Sequence, residues 1–228
     1  MYKIKSPVLF LVFNRPEPTG RVFEKIRQGK PNQLFIAADG PRKDKVYEQE
    51  LCRQTREILQ VDWDCEVKTL YREHNLGCGE AVHSAIDWFF SHVTQGIILE
   101  DDCLPEPDFF RFCDEMLDKY TDNEQIFEIS GTNLQGGTVI GDGSYYFSRY
   151  GGIWGWASWA RAWKKYDFRM SDLDKFVAEN RISKVFESKA QQDFWNKMFV
   201  DALQMDTWDY QWLYSICKYT LENNRWFI

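Results

Sequence analysis

Short apolar segments alternate with amphipathic helical segments through the first 130 residues, and this alternation constrains the fold more than any other feature. Residues 8–13 and 96–99 are continuous apolar runs, which are typical of strands buried on both faces of a parallel sheet. Between such runs, apolar residues recur every three or four positions, as on one face of a helix. The predicted strands are residues 8–13, 34–38, 65–71, 96–99 and 126–130, and the predicted helices are residues 17–28, 44–60, 79–93 and 106–120. This order predicts an α/β fold with a mostly parallel central sheet and helices on both faces.

The second part of the chain has a different pattern. A glycine-rich loop, residues 131–144, precedes a predicted strand, Tyr145–Arg149, and an aromatic stretch, Gly151–Trp159. Beyond these we predict helices over residues 157–166, 172–180, 190–205 and 208–222. We therefore expect one domain with two parts, an α/β part (1–130) and a mostly helical C-terminal lobe (131–228).

Charge and composition argue against several classes of protein. The 228 residues include 28 basic and 35 acidic ones, a formal charge of −7, so nucleic acid is not an expected partner. No apolar run approaches the roughly 20 residues of a transmembrane helix, although peripheral association with a membrane stays compatible with the sequence. The six cysteines form no C-x-x-C pair, which is typical of reduced thiols. We expect a cytoplasmic protein, at the inner face of the membrane if it associates with one.

Polar loops follow four of the predicted strands, where ligands of open parallel sheets bind. These loops are Asn14–Glu17, Asp39–Lys43, Arg72–Gly79 and Glu100–Pro105. Their basic residues are placed to meet a diphosphate, although ordinary surface charge explains any single one as well; they are Arg15, Arg42, Lys43 and Arg72. Within the third loop, Gly77 and Gly79 would let backbone amides approach an anion or a sugar at the start of a helix.

The strongest local indication of chemistry is the triplet Glu100-Asp101-Asp102, which directly follows an apolar strand. Neighbouring carboxylates that are partly buried are unfavourable unless a cation or hydrogen bonds compensate them. Mg²⁺ and Mn²⁺ prefer oxygen ligands of this kind. The alternative is a solvated turn that caps the helix after Pro105.

Aromatic residues and one aspartate in the C-terminal lobe indicate further site residues. Trp154 and Trp156 are flanked by glycines and are candidates to line a sugar pocket, whereas Trp159 and Trp163 are expected to pack in the core on one face of a helix. Asp209 stands among aromatic residues, which suits a general base. The alternative is a carboxylate that stabilises the start of a helix.

In this order, these segments resemble bacterial GT-A fold glycosyltransferases related to N-acetylglucosaminyltransferase I, within the nucleotide-diphospho-sugar transferases. The resemblance extends over essentially the whole chain, and its most specific part is the Glu-Asp-Asp form of the D-x-D motif. The segments that carry it are Pro7–Pro16, Ala38–Pro41, Asn75–Gly79, Leu99–Pro105, Ile153–Trp159 and Trp208–Trp212. It implies a GT-A fold and metal-dependent transfer of a sugar from a nucleotide diphosphate sugar, with a UDP-sugar favoured. The implied acceptor is a carbohydrate or a lipid-linked glycan, in surface glycan or polysaccharide synthesis.

The resemblance also implies roles for individual residues. Asp102 would ligate Mn²⁺ or Mg²⁺, and Asp209 would be the catalytic base of an inverting transfer. The residues implied to bind the donor are Asn14, Arg15, Asp39, Arg72, Asn75, Gly77, Gly79, Glu100 and Asp101, to which the glycine-flanked Trp154 and Trp156 are added as pocket candidates.

The end of the sequence bears on activity. Asn223–Ile228 looks like the beginning of a further strand, so we expect a C-terminally truncated domain. Enzymes of the resembled family continue past this point, often with a histidine that helps to bind the metal or the diphosphate. Whether this chain is active alone therefore stays open.

Two other functions are compatible with parts of the sequence. A sugar nucleotidyltransferase shares the sheet type and uses Mg²⁺, but its glycine-rich basic loop after the first strand is replaced here by Asn14–Glu17. A non-catalytic carbohydrate-binding protein explains the tryptophans but not the acids that follow a buried strand.

Overall fold

A seven-stranded sheet forms the centre of the protein in a computed structural model that describes residues 2–136, 138, 141–223 and 226–228. The strands are β1 (Val8–Val12), β2 (Gln33–Ala38), β3 (Glu66–Tyr71), β4 (Gln95–Glu100), β5 (Ile126–Ser130), β6 (Trp156–Trp159) and β7 (Trp226–Phe227). The helices are α1 (Pro16–Gly29), α2 (Val46–Glu57), α3 (Cys78–Phe90), α4 (Phe109–Lys119), α5 (Ala160–Trp163), α6 (Leu173–Ala178), α7 (Lys189–Ala202) and α8 (Asp209–Asn223), with a 3₁₀ helix at Arg181–Lys184.

The strand order is β3-β2-β1-β4-β6-β5-β7, and most strands run in one direction. Strands β1 to β4 pair in parallel, and β5 pairs in parallel with β7. Among the seven described strands, β6 alone is antiparallel to its neighbours, β4 and β5. The predicted α/β fold with a mostly parallel sheet is confirmed, and the five strands predicted within residues 1–130 are present.

Side chains of alternate residues in β1 enter two cores on opposite faces of the sheet. Val8 and Phe10 pack on one face in a cluster that includes residues of α1 and α4. Leu9 and Leu11 pack on the other face, with residues of α3, α5 and α8. A third cluster joins α6, α7 and α8 and forms the core of the helical C-terminal lobe. The predicted placement of helices on both faces is therefore confirmed.

Strand β6 corrects the prediction of a helix over 157–166. Trp156–Trp159 lies between β4 and β5 with all four residues buried, and only Ala160–Trp163 is helical. The strand is favoured because two opposite faces of the segment are buried at once, as a central strand requires. Trp159 and Trp163 are buried as expected, but they belong to cores on opposite faces of the sheet, so the expected shared helix face is wrong.

The segment Tyr145–Arg149 is not a strand in the structure, which assigns it only a single bridge residue, Ser148. Side-chain contacts hold it instead: the hydroxyl of Tyr145 lies 2.7 Å from that of Tyr120, and Phe147 packs edge-on against the same ring. At the other end, Trp226–Phe227 forms the predicted final strand, whereas Asn224 and Arg225 lie outside the described residues.

Two whole-chain features complete the description. All six cysteines are free thiols. In the parts of the chain that the structure describes, every helix is too short or too polar to cross a membrane.

Candidate functional site

The carboxyl edge of the sheet brings together the polar loops that follow β1, β2, β3 and β4, as the sequence predicts. Glu100 is the last residue of β4, so Asp101 and Asp102 begin the loop beyond it. Arg15 follows β1, the strand next to β4, and immediately precedes α1. Parallel neighbours end at the same edge, so the basic residue of one loop meets the acids of the next.

Arg15 bridges the two aspartates of the triplet. Its Nη2 donates to Asp101 Oδ1, its Nε donates to Asp101 Oδ2 at 3.3 Å, and its Nη1 donates to Asp102 Oδ2 at 3.0 Å. The Asp101 side chain is buried, whereas that of Asp102 is 56% exposed. Burial raises the pKa of Asp101 and the Arg15 guanidinium opposes that rise. Asp101 is therefore held inside the protein, and Asp102 is the acid that faces outward.

Glu100 links the triplet to Asp209 of the C-terminal lobe. Burial raises its pKa to about 7, and the negative charges of Asp102, Asp101 and Asp209 add to the rise. Asp209 thus contributes to the same acidic field as the triplet although it is distant in sequence. Such a concentration of carboxylates is unfavourable unless positive charge compensates it, and Arg15 supplies only part of that charge.

The chemistry of these residues fits a hard divalent cation. Glu100 and Asp102 offer carboxylate oxygens, the ligands that Mg²⁺ and Mn²⁺ prefer. Burial and, after it, the neighbouring acids raise the pKa of Glu100, and a cation would offset both effects by favouring the charged form. Within the described ranges, no three His, Cys, Asp or Glu side chains are arranged as a ready-made metal cage. A cation here would complete its coordination with phosphate oxygens and water, as Mg²⁺ does in sites with few protein carboxylates.

Asp39 organises the neighbouring loop from within. Its carboxylate accepts hydrogen bonds from Gly40 N at 2.9 Å, Asn75 Nδ2 at 2.7 Å and Leu76 N at 3.1 Å. Asp39 is buried, and burial raises its pKa while the backbone amides of Leu76 and Gly40 oppose the rise. Asp39 and Asn75 thus have partners within the protein that fix the loop before α3. Their role in contacting a donor stays a prediction.

Asp206 corrects the prediction that amides at the start of α3 are open to an anion. Its carboxylate accepts hydrogen bonds from Cys78 N at 2.9 Å and Gly79 N at 2.7 Å. Gly77 has a φ of 84°, and a Cβ atom there would lie 2.6 Å from Asp206 Oδ2. The glycines do permit close approach of an anion, but that anion is a side chain of the C-terminal lobe.

The other predicted basic residues differ in their partners. Arg42 pairs with the fully buried carboxylate of Glu48 and lies over the ring of Phe13. Arg72 Nη2 donates to Ser84 Oγ at 2.7 Å, and burial lowers the pKa of Arg72 although Asp39 opposes this. Arg42 therefore compensates a buried charge, while Arg72 lies closer to the site, near Asp39.

Trp154 and Trp156 have opposite environments, so the prediction for Trp156 is wrong. Trp156 is the first residue of β6, has no exposed surface, and packs against Trp208 and Trp212. Trp156 cannot line a pocket, because its side chain is fully buried in the core on one face of the sheet. Trp154, two residues earlier, is 65% exposed at the carboxyl edge.

Two cavities meet at Trp154. The larger, of about 830 Å³, is lined by Asp102, Cys103, Thr132 and Trp154 among others. The smaller, of about 210 Å³, is lined by Asp209, Glu128, Thr132 and Trp154. The exposed acid of the triplet, Asp102, therefore borders one cavity and Asp209 borders the other, and the indole ring of Trp154 lines both.

Sequence reasoning missed Glu128 and Asp206. Glu128 interrupts the apolar strand Ile126–Ser130, and a charge at such a position is a usable signal. Asp206 has no comparable signal, because its partners at the start of α3 are remote in sequence. Asp209 lies where it was expected in the chain, as the first residue of α8, and accepts a hydrogen bond from Thr207 Oγ1.

No family model and no curated protein matches this chain. It is similar to a mannosyltransferase from Pyrobaculum calidifontis in complex with GDP-Man and Mn²⁺, with 15% identity, 55% of this chain and 35% of that chain covered, and a TM-score of 0.35. It is similar to 4-diphosphocytidyl-2C-methyl-D-erythritol synthase from Anaerococcus prevotii, with 9% identity, 76% of this chain and 84% of that chain covered, and a TM-score of 0.39. It is also similar to Rv0371c from Mycobacterium tuberculosis, with 12% identity, 55% of this chain and 64% of that chain covered, and a TM-score of 0.33. This chain thus spans about a third of the mannosyltransferase's length. TM-scores below 0.5 support no transfer of function from these proteins.

Proposed function

We propose that this protein is a glycosyltransferase of the GT-A type, which moves a sugar from a nucleotide diphosphate sugar to an acceptor hydroxyl with the help of Mn²⁺ or Mg²⁺. The observation that carries the proposal is the acidic triplet Glu100–Asp102 at the carboxyl edge, where Arg15 bridges Asp101 and Asp102 and Asp102 faces outward. The negative charge of Asp209 acts on Glu100 of the same triplet. A donor diphosphate with a cation neutralises such a field, and an acceptor hydroxyl needs a carboxylate nearby that can take its proton.

On the donor side, Asp102 is the proposed cation ligand because it is the exposed acid of the triplet. The bound cation would stabilise the negative charge that develops on the leaving diphosphate. Arg15 already lies against Asp101 and Asp102, so its guanidinium is within reach of an anion that binds beside them. The larger cavity, bordered by Asp102 and Trp154, offers room for the donor sugar.

On the acceptor side, Asp209 is the proposed general base. The hydroxyl of Thr207 donates to its Oδ1 and fixes the orientation of the carboxylate. Asp209 borders the smaller cavity, so a sugar hydroxyl in that cavity would lie beside it. A base on the side of the sugar ring opposite to the leaving diphosphate supports transfer with inversion at the anomeric carbon. A UDP-sugar donor and a glycan acceptor remain part of the proposal on the sequence resemblance.

The test is turnover with a panel of UDP-, GDP-, dTDP- and CMP-sugars, read by release of the nucleotide in the presence of Mn²⁺ or EDTA. A mixture of methyl glycosides serves as the acceptor. We expect one donor class to react only with the metal, and Asp209→Asn to lose the reaction while still binding that donor. The proposal is refuted if no nucleotide sugar binds or reacts, or if EDTA has no effect. Formation of nucleotide sugar from a nucleoside triphosphate and a sugar phosphate would instead indicate a nucleotidyltransferase.

A further inference from the structure

Glu128 is a buried carboxylate that the proposed chemistry does not use. It lies in the middle of β5, has no exposed surface, and is flanked by the buried residues Phe127 and Ile129. An apolar residue would fill this position at lower cost, because a buried carboxylate must be compensated by donors. A residue that opposes its local environment in this way calls for a functional explanation.

Two N–H groups compensate the Glu128 carboxylate, one at each oxygen. Trp212 Nε1 donates to Oε2 at 2.7 Å, and Gly152 N donates to Oε1 at 3.0 Å. Burial raises the pKa of Glu128 to about 7, and the same two donors oppose the rise. The carboxylate is therefore matched to two partners that come from different parts of the chain.

Both partners line the smaller cavity, together with Asp209 and Trp154. Trp212 lies on the first turn of α8, three residues after Asp209, so its position sets the direction of that turn. Gly152 belongs to the turn that ends in the exposed Trp154. Two hydroxyls of the β5 end support the same turn: Ser130 Oγ donates to Gly152 O and Thr132 Oγ1 donates to Trp154 O, each at 2.9 Å.

We propose that Glu128 is a positioning residue that fixes the gap between Asp209 and Trp154, so that one sugar ring of the acceptor fits in the smaller cavity. This inference rests on the proposed function. The cavity of about 210 Å³ is below the roughly 300–1,000 Å³ of pockets for drug-sized ligands, which suits a single ring. Trp154 offers a flat face to that ring, and Asp209 lies at the same cavity.

The test compares Glu128→Gln and Trp212→Phe with a matched control, Glu124→Gln, which changes an exposed glutamate shortly before β5. Glu128→Gln keeps the shape of the side chain but turns an amide NH₂ toward one of the two N–H donors. Trp212→Phe keeps a ring and removes the Nε1–H. Donor KM and acceptor KM are measured separately, with methyl glycosides of glucose, galactose, mannose and N-acetylglucosamine as acceptor probes. Direct binding of the same glycosides is followed by saturation-transfer NMR.

We expect both variants to raise the acceptor KM about tenfold or more while the donor KM stays within twofold, and the double variant to be little worse than either single one. The control should match the wild type. Equal changes in donor and acceptor KM, or no change in a variant that unfolds cooperatively, would overturn the inference. If the wild type binds no nucleotide sugar, the proposed function fails by itself. In that case the glycoside-binding experiment still tests the role of Glu128. The role is supported if the wild type binds a glycoside and the two variants do not. It is refuted if the variants bind as well as the wild type, or if the wild type binds no glycoside.

Discussion

The carboxylate of Asp206 is expected to stabilise the protein by capping α3, and its removal gives a prediction that can be worked from the structure. Helix α3 has no capping side chain at its own N-cap residue, Gly77. Asp206 instead accepts hydrogen bonds from Cys78 N and Gly79 N at 2.9 and 2.7 Å. Asp206 thereby joins the segment between α7 and α8 to the start of α3.

The expected cost follows from the two effects that Asp206→Ala removes. Loss of a helix cap costs about 1 kcal/mol, and loss of a negative charge at a helix N-terminus costs a further ~0.3–1 kcal/mol at an exposed position. We expect the free energy of unfolding to fall by about 1–2 kcal/mol for Asp206→Ala. Asp206→Asn should cost about half as much, since the amide oxygen still accepts hydrogen bonds.

Urea unfolding measures these differences, with a change of the exposed Asp64 to Ala as the control. A slope of about 2–3 kcal/mol per M converts the expected loss into a midpoint roughly half a molar lower. A second arm uses Gly77→Ala, whose Cβ would lie 2.6 Å from Asp206 Oδ2 at a φ of 84°. In the Asp206→Ala background only the backbone strain remains, so Gly77→Ala should cost less there. Additive costs, or a loss below about 0.5 kcal/mol for Asp206→Ala, would refute this reasoning.

Three further predictions concern the acids of the site. Asp102→Asn should weaken Mn²⁺-supported binding of a nucleoside diphosphate more than Asp101→Asn, because the Asp102 side chain is 56% exposed, whereas Asp101 is buried and accepts two hydrogen bonds from Arg15; metal titrations with the reverse order would reassign the ligand. Asp209→Asn should lower the transfer rate by ~10²–10⁴-fold with unchanged donor affinity, and a loss below about tenfold would exclude it as the base. The pKa of Glu128 rises from 4.5 to about 7 on folding, so its contribution to stability is present below about pH 4.5 and is lost as pH rises through about 7. That contribution is up to ~3 kcal/mol, and urea unfolding of Glu128→Gln should show a flatter decline with pH than the wild type; parallel curves would contradict the assignment.

The sequence predicts β1, β2, β4 and β5 because each is a short, mostly apolar run between helical segments and is buried in the sheet. Strand β3 lies at the edge of the sheet with no buried residue, so only its place in the alternation of strands and helices predicts it. Sequence-based prediction fails at Trp156–Trp159, where tryptophans three and four residues apart match a helix period as well as a strand. The segment becomes a strand because it pairs with β4 on one side and β5 on the other, and those two partners come together only in the folded sheet.

In the candidate site, too, some residue contacts could be predicted from the sequence and others could not. The meeting of Arg15 with Asp101 and Asp102 follows from the rule that parallel neighbours end at one edge, so the sequence predicts the grouping. The capping of α3 by Asp206 and the bridge from Glu128 to Trp212 and Gly152 join residues remote in sequence. Local patterns carry no information on such partners, and only the folded chain brings them together.

The central claim is that the acids at the end of β4 bind a nucleotide sugar through a divalent cation. It is tested most directly by the melting temperature of the wild type with nucleoside diphosphates and their sugars, with Mn²⁺ or with EDTA, beside Asp102→Asn. A ligand at 100 times its Kd adds ~2.7 kcal/mol of stability. The account predicts that this stabilisation requires the metal and is largely lost in Asp102→Asn. Equal stabilisation in EDTA, or an unchanged response in Asp102→Asn, would contradict it.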